Sequence, residues 1–342
     1  MVHDSAVMSV AFSPDGKYVV SGGWDDTARV WETLTGNETA RMIHDGGVFA
    51  VAFSPDGKYI IVGSNHDTNE VYGFSPVWDS SRLWVWEAAT EGLVARMTHD
   101  NVVSTVSFSP DGLYVVLGGL DGTAHVWEVA TGDEVARMTH DDGVTSSAFS
   151  PDGLYVVLGG LDGTVHVWEV ATRDEVARMT HDGSVNTVVF SPDGKYVVSG
   201  SGDNTARVWE AASGKEIARM THDGSVNTVV FSPDGKYVVS GSGDNTARVW
   251  EAASGKEIAR MTHDGSVNTV VFSPDGKYVV SASEDGTARV WEWLPDDLIA
   301  NACKVMPRNL TRAEWNQYIG DALPYQAVCP NLPIESEPTP TP

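Results

Sequence analysis

The sequence predicts an all-β protein of seven repeated four-stranded units, arranged as the blades of a propeller. Three observations carry this reading. The dipeptide His-Asp recurs at His3, His44, His99, His140, His181, His222 and His263, with gaps of 41, 55, 41, 41, 41 and 41 residues. The 41 residues from Gly183 to Asp223 follow again, unchanged, from Gly224 to Asp264. Within a unit, short runs rich in Val, Tyr, Trp and Thr alternate with turn-forming clusters, and helical periodicity is absent.

The unit from Gly183 shows the elements in order. "VNTVVFS" is a first strand, and "PDG" turns the chain, with Pro fixing φ and Gly accepting a left-handed backbone. "KYVVSGS" is a second strand, "GDNT" a second turn, "ARVWEA" a third strand, "SGK" a third turn and "EIARMT" a fourth strand. Units of this kind bury their faces against their neighbours, so copying one preserves packing.

The second unit carries 55 − 41 = 14 extra residues within "NHDTNEVYGFSPVWDSSRLW", Asn65 to Trp84. A long loop on a rigid scaffold is often functional; a self-packed hairpin that lids the blade is the structural alternative. The seventh unit has no good copy of "GKEIARMT" after Trp291. Residues Asp297–Met306 read as a helix opened by Pro295 and Asp296, and Thr311 with Glu314 forms a capping box for a second helix that ends at Gly320. The seventh blade therefore lacks its fourth strand, or "DLIANAC" replaces it. Its open edge is a pairing hazard that the tail, a second copy, or a preceding blade of a longer parent would cover. The expected organisation is a propeller over 1–294 with an insertion at about 65–84, a helical extension over 295–333, and a disordered Pro/Thr tail over 334–342.

Composition narrows the function classes. The 342 residues carry 22 Lys and Arg against 47 Asp and Glu, a net charge of −25. That balance predicts neither a nucleic-acid partner nor docking on anionic lipid, both of which need basic surface. There is no membrane-spanning run and no secretion signal in "MVHDSAV", so the expected setting is cytoplasmic. Cys303 and Cys329 are expected as two reduced thiols, a disulfide being the alternative in an oxidising compartment. No cofactor and no metal is expected: no EF-hand, Walker or HExxH motif occurs.

At "SPDG" and "SGSGDNTARVWE" the chain resembles the WD40 family, whose unit usually ends in Trp-Asp rather than Trp-Glu. The resemblance spans roughly residues 3–292 and implies a seven-bladed WD40 propeller followed by a short helical tail. The tail itself, "RNLTRAEWNQYIGDALPYQAVCPNLP", resembles segments that follow bacterial WD40 arrays. The resemblance also implies a structural tetrad in which His, Ser, Asp and Trp are linked. Its spacing is matched by His3, Ser21, Asp25 and Trp31, and by His181, Ser199, Asp203 and Trp209. It recurs as His222, Ser240, Asp244 and Trp250, and as His263, Ser281, Asp285 and Trp291. Blades 3 and 4 depart from it, with Leu117 and Leu158 in the Ser position, and blade 2 has Val62 there. Repetition of His, Ser and Asp in nearly every blade makes these groups structural rather than catalytic, since a hydrolase needs one activated nucleophile in one pocket. An enzyme is accordingly not expected.

Propellers of this family mostly bind proteins or peptides on the face that carries the loops between blades and the second-to-third-strand turns. The resemblance places the exposed positions three and five residues after each His and one before the turn Asp. Blades 5 to 7 are mostly small and polar there, with Ser184, Asn186 and Gly202 in blade 5. Blades 1 to 4 supply Met8, Trp24, Phe49, Leu120 and Leu161, and the insertion adds Tyr72, Phe74 and Trp78. A contiguous apolar patch of this kind marks a partner site. The expected function is a non-catalytic scaffold for a protein or peptide. Self-association through the blade 7 edge, and the sensor part of a larger bacterial signalling protein, are the alternatives.

Overall fold

The computed structural model describes residues 2–67, 78–90, 92–99, 101–318 and 327–334. It has seven antiparallel sheets, each built from consecutive strands in sequence order. Blade 1 comprises Val7–Phe12, Tyr18–Gly23, Thr27–Glu32 and Glu38–Ile43. Blades 2 to 6 repeat this over 48–99, 103–139, 144–180, 185–221 and 226–262, and blade 7 has three strands, Val267–Phe272, Tyr278–Ser283 and Ala288–Glu292. The fold class read from the sequence is the fold observed.

Local chemistry explains each turn. In blade 5 the Ser191 hydroxyl donates to the Asp193 carboxylate (2.7 Å) and accepts from the Tyr196 N–H (3.0 Å), while Gly194 takes φ +71°. The second strands of blades 2 to 6 are buried almost throughout, because each is covered on both sides by neighbouring sheets. Their composition follows from that: "YVVSGS" has no alternation of apolar and polar positions. Its glycine lets the next blade in. A Cβ on Gly200 would lie 2.7 Å from Val226 Cγ1, and one on Gly241 would lie 2.8 Å from Val267 Cγ1.

The core is distributed between blades rather than gathered at one centre. Among the described residues, six clusters of buried side chains fill the spaces between blades 1 and 2 through to blades 6 and 7. In the one between blades 5 and 6, Val198, Ala206, Val208, Ala218 and Met220 of the earlier blade meet Val226, Val229, Val238 and Trp250 of the later one. A continuous apolar contact of this sort is what lets tandem units stabilise one another.

The insertion lengthens the second and third strands of blade 2 to Tyr59–Asp67 and Trp78–Glu87, paired as far as Asp67 and Trp78. Residues 68–77, including Tyr72 and Phe74, lie outside the described residues. After blade 7 the segment containing "DLIANAC" is helical, Pro295–Val305, rather than a replacement fourth strand. A second helix runs Arg312–Tyr318, with Thr311 and Glu314 exchanging backbone and side-chain bonds at its start. The Arg308 guanidinium beside Glu314 holds that carboxyl down at about 2. The expectation of two reduced thiols is corrected: Cys303 and Cys329 form a disulfide. The buried Asn309 holds the same junction, donating to the carbonyls of Cys329 and Leu332 and accepting from the N–H groups of Val328 and Cys329. Spacing alone could not show that these two cysteines meet.

Candidate binding face

A buried polar network fixes the loop face in blades 1, 5, 6 and 7. In blade 5 His181 Nδ1 lies 3.0 Å from Asp203, His181 Nε2 lies 2.7 Å from Ser199 Oγ, and the Trp209 indole N–H donates to the same Ser199 oxygen at 2.8 Å. Blade 6 repeats this with His222, Asp244, Ser240 and Trp250 at 2.9, 2.7 and 2.8 Å. Blade 7 does so with His263, Asp285, Ser281 and Trp291 at 3.0, 2.7 and 2.8 Å. In blade 1 His3, Asp25, Ser21 and Trp31 are joined at 2.9, 2.7 and 2.7 Å. Each serine oxygen is buried and committed to an indole and an imidazole, so none is presented to a substrate.

Two further partners belong to each network and were not picked out from the sequence. The Arg two residues before the Trp donates to the turn Asp: Arg207 to Asp203 at 2.8 Å, Arg248 to Asp244 at 2.7 Å, Arg29 to Asp25 at 2.7 Å and Arg289 to Asp285 at 3.2 Å. The Thr two residues after the Asp donates its hydroxyl to the same carboxylate, as Thr205 does to Asp203 at 2.6 Å. The recurring "TARVW" was the available signal. Burial pushes the His181 and His222 imidazoles below their ordinary range. They are therefore neutral near pH 7, donating from Nδ1 to the carboxylate and accepting the Ser hydroxyl at Nε2. Burial works to raise Asp203 and Asp244, but bonds from Thr205 or Thr246, from the backbone and from the His hold both well below the carboxylate range.

Blades 2, 3 and 4 are wired differently. With Leu117 and Leu158 in the Ser position, the Trp127 and Trp168 indole N–H groups have no partner among the described residues. His99 lies 3.8 Å from Asp121, and His140 lies 3.0 Å from Asp162. In place of the Arg stand His125 and His166, whose rings lie 4.6 and 4.1 Å from those of His99 and His140. Burial, and then the neighbouring His140, push His166 down to about 4. In blade 2 Trp84 takes the Arg position, with Arg96 stacked over it at 4.0 Å. His44 packs edge-on against Trp84 and Trp86, and neither of its ring nitrogens has a partner among the described residues.

The face itself is shaped by a bulge repeated in all seven blades. One residue of each first strand is unpaired against the second: Met8, Phe49, Ser104, Thr145, Asn186, Asn227 and Asn268. Bulges re-aim side chains, and here the polar ones of blades 3 to 6 tie a blade to the next. Asn186 donates to Val226 O at 2.9 Å, Asn227 donates to Val267 O at 3.0 Å, and Ser104 and Thr145 reach Val144 O and Val185 O. Met8 and Phe49 are apolar and make no such tie. Met8 is exposed, whereas Phe49 is half-buried, lying over Gly63 and against the core between blades 2 and 3. Trp24 is exposed and lies over Gly47, where a Cβ would meet the indole at 2.2 Å. Leu120 and Leu161 are exposed on either side of Gly143. The backbone N–H groups of Trp24, Leu120 and Leu161 donate to Ala6, Val102 and Gly143, the same bond that holds Gly202 to Ser184. Trp78 opens a strand of blade 2; its side chain, with Tyr72 and Phe74, falls outside the described residues.

The acidic residues that follow the His are paired with arginines: Asp4 with Arg29 at 2.9 Å, Asp45 with Arg82 at 2.8 Å and Asp223 with Arg248 at 3.4 Å. Such partly exposed pairs contribute little stability, but they hold the loops in place.

The family model described as WD domain, G-beta repeat matches seven times, over 1–32, 38–71, 93–128, 132–169, 174–210, 214–251 and 255–292. The chain belongs to the WD40 family. From the third onward, each match begins at or just before the outer strand of one blade and ends on the third strand of the next, so the WD40 unit straddles the interblade core. WD40 repeats generally serve as platforms for protein–protein interaction. No curated protein matches the chain. Among the described residues no helix is long and apolar enough to cross a membrane.

Proposed function

We propose that this WD40 protein is a non-catalytic scaffold that binds a protein or peptide on its loop face, chiefly through blades 1, 3 and 4. One observation carries the proposal. Trp24, Leu120 and Leu161 are exposed at positions whose backbone is locked to the entry loops, and Met8 is exposed on the blade 1 bulge, while the same positions in blades 5 and 6 are Asn or Gly. Rigidly held aromatic and aliphatic side chains are the usual anchors of an interface. The net charge of −25 favours a partner with basic groups around an apolar centre.

The test is affinity capture with a triple variant, Trp24→Ala, Leu120→Ser and Leu161→Ser, beside a Leu34→Ser control. Leu34 is likewise apolar and even more exposed, but it sits in a third-to-fourth-strand turn, away from the loop face. The expected result is a partner whose affinity falls at least about tenfold with the triple variant and is unchanged by the control. Equal loss in both, or in neither, overturns the assignment. Phe49→Ala is unsuitable here because it would open a cavity between blades 2 and 3.

The Cys303–Cys329 bond supports an oxidising setting rather than the cytoplasmic one expected from the sequence, because disulfides persist in oxidising surroundings. Acid-quenched alkylation of the protein from its source cells is expected to find both thiols blocked. Two alkylated thiols would restore the cytoplasmic reading.

A further inference from the structure

The chain builds one kind of interface six times. At five of them the trailing face of a blade, made from its four strands, receives two valines from the first strand of the next; at the blade 4 interface Ser147 stands in place of the second. Those valines are buried: Val48 and Val51 in blade 2, Val185 and Val188 in blade 5, Val226 and Val229 in blade 6, all between 0% and 6% exposed. The corresponding residues of blade 1 are Val7 and Val10, and they are 50% and 62% exposed; Phe12 beside them is 63% exposed. At the other end, Val208 and Val249 are buried in the trailing faces of blades 5 and 6, while their blade 7 counterpart Val290 is 68% exposed and Val271 is 50% exposed. One leading face and one trailing face are therefore both open, in a chain that joins these two surfaces six times elsewhere. If they covered each other within the chain, neither would be exposed.

We infer that these faces take a second copy of this chain, the trailing face of blade 7 in one copy receiving the leading face of blade 1 in the next. The complementarity is already on display between blades 6 and 7, where Val239, Ala247 and Val249 receive Val267 and Val270. In blade 7 the receiving set is Val280, Ala288 and Val290. The contact is heterologous, so it either closes into a ring or runs on. Two features weaken it relative to the internal interfaces. Among the described residues blade 7 has no fourth strand, and so no counterpart of Met261. It also has Ala282 where the other blades have glycine, and a Cβ at Gly200 or Gly241 would stand within 2.8 Å of the incoming valine. The net charge of −25 on each copy adds a repulsion that salt screens.

Sedimentation velocity from about 1 µM to about 200 µM, at low and high salt, tests this directly. Wild type is expected to assemble with rising concentration, more so at high salt. Val10→Asp blocks the leading face and Val290→Asp the trailing face; each alone is expected to weaken association at least a hundredfold, roughly the loss for a buried unpaired charge. Mixed, they are expected to give a one-to-one heterodimer and nothing larger, because each retains the face the other needs. Ala282→Gly is expected to lower the dissociation constant about tenfold by making room for Val7. Circular dichroism monitors folding; if either Asp variant melts early, Val10→Ser and Val290→Ser take their place. A wild type that stays monomeric throughout, or folded variants that fail to pair on mixing, overturns the inference.

Discussion

Asp244→Ala is expected to lower stability by about 3–5 kcal/mol, the usual cost of removing one partner from a buried, hydrogen-bonded ion pair. The Arg248 guanidinium is buried and donates to Asp244 at 2.7 Å; its other acidic neighbours, Asp223 and Glu257, lie at 3.4 and 3.5 Å. The same Asp244 carboxylate accepts from His222, from the Thr246 hydroxyl and from the Asp223 backbone N–H. Removing it leaves the buried guanidinium only its longer contacts to acidic groups and takes the shared acceptor from three donors. Asp121→Ala provides the contrast. Blade 3 has His125 where blade 6 has Arg248, the Asp121 side chain is a quarter exposed, and its bonds are to the Thr123 N–H and hydroxyl. Its loss is expected to cost only about 1 kcal/mol, the scale of ordinary turn hydrogen bonds. Urea denaturation of both variants checks the difference; equal midpoints would show that the Arg is not the centre of the network.

That contrast also shows what the sequence disclosed and what it withheld. The seven blades, their strands and the departures at Leu117 and Leu158 are written in a 41-residue period, because turn chemistry and the tetrad spacing are local. The arginine of the network is equally visible in "TARVW", and its replacement by His125 and His166 equally so, but the four-residue motif does not include that position. Other features lay beyond any reading of one unit. Val10 and Val188 are the same residue at the same position of the same strand, yet one is exposed and the other buried, because only one has a blade in front of it. Phe49 was read as part of the face from its position, but the bulge turns it onto Gly63. Cys303 and Cys329 are 26 residues apart, and only the packing around Asn309 brings them together.

The second large effect is a loss of stability between neutral and mildly acidic pH, carried by imidazoles that fold in neutral form. His44 is buried against Trp84 and Trp86 with no partner on either nitrogen among the described residues, and burial pushes it down to about 4. His166 is pushed down to about 4 as well, and burial lowers His125, His181 and His222 in the same direction. Above the ordinary histidine value of 6.5 both folded and unfolded chains hold these rings neutral, so stability is at its full value. As pH falls from 6.5 toward 4 the unfolded chain takes up protons that the folded chain refuses, and stability drops by about 1.4 kcal/mol per pH unit for His44 and for His166. Below about 4 the folded rings protonate too, and the loss from His44 and His166 levels off. The aspartates act lower down: their stabilisation holds above their ordinary value of 3.8 and is lost as pH falls beneath it. His44→Leu isolates one ring. Leucine has a similar volume and needs no partner, so the variant is expected to match wild type at pH 7.5 and to exceed it by about 2 kcal/mol at pH 5. Urea titrations of both proteins at the two pH values measure this. Parallel losses in wild type and variant would mean that His44 already carries a proton in the folded protein, and that a partner for it exists which the packing around Trp84 does not supply.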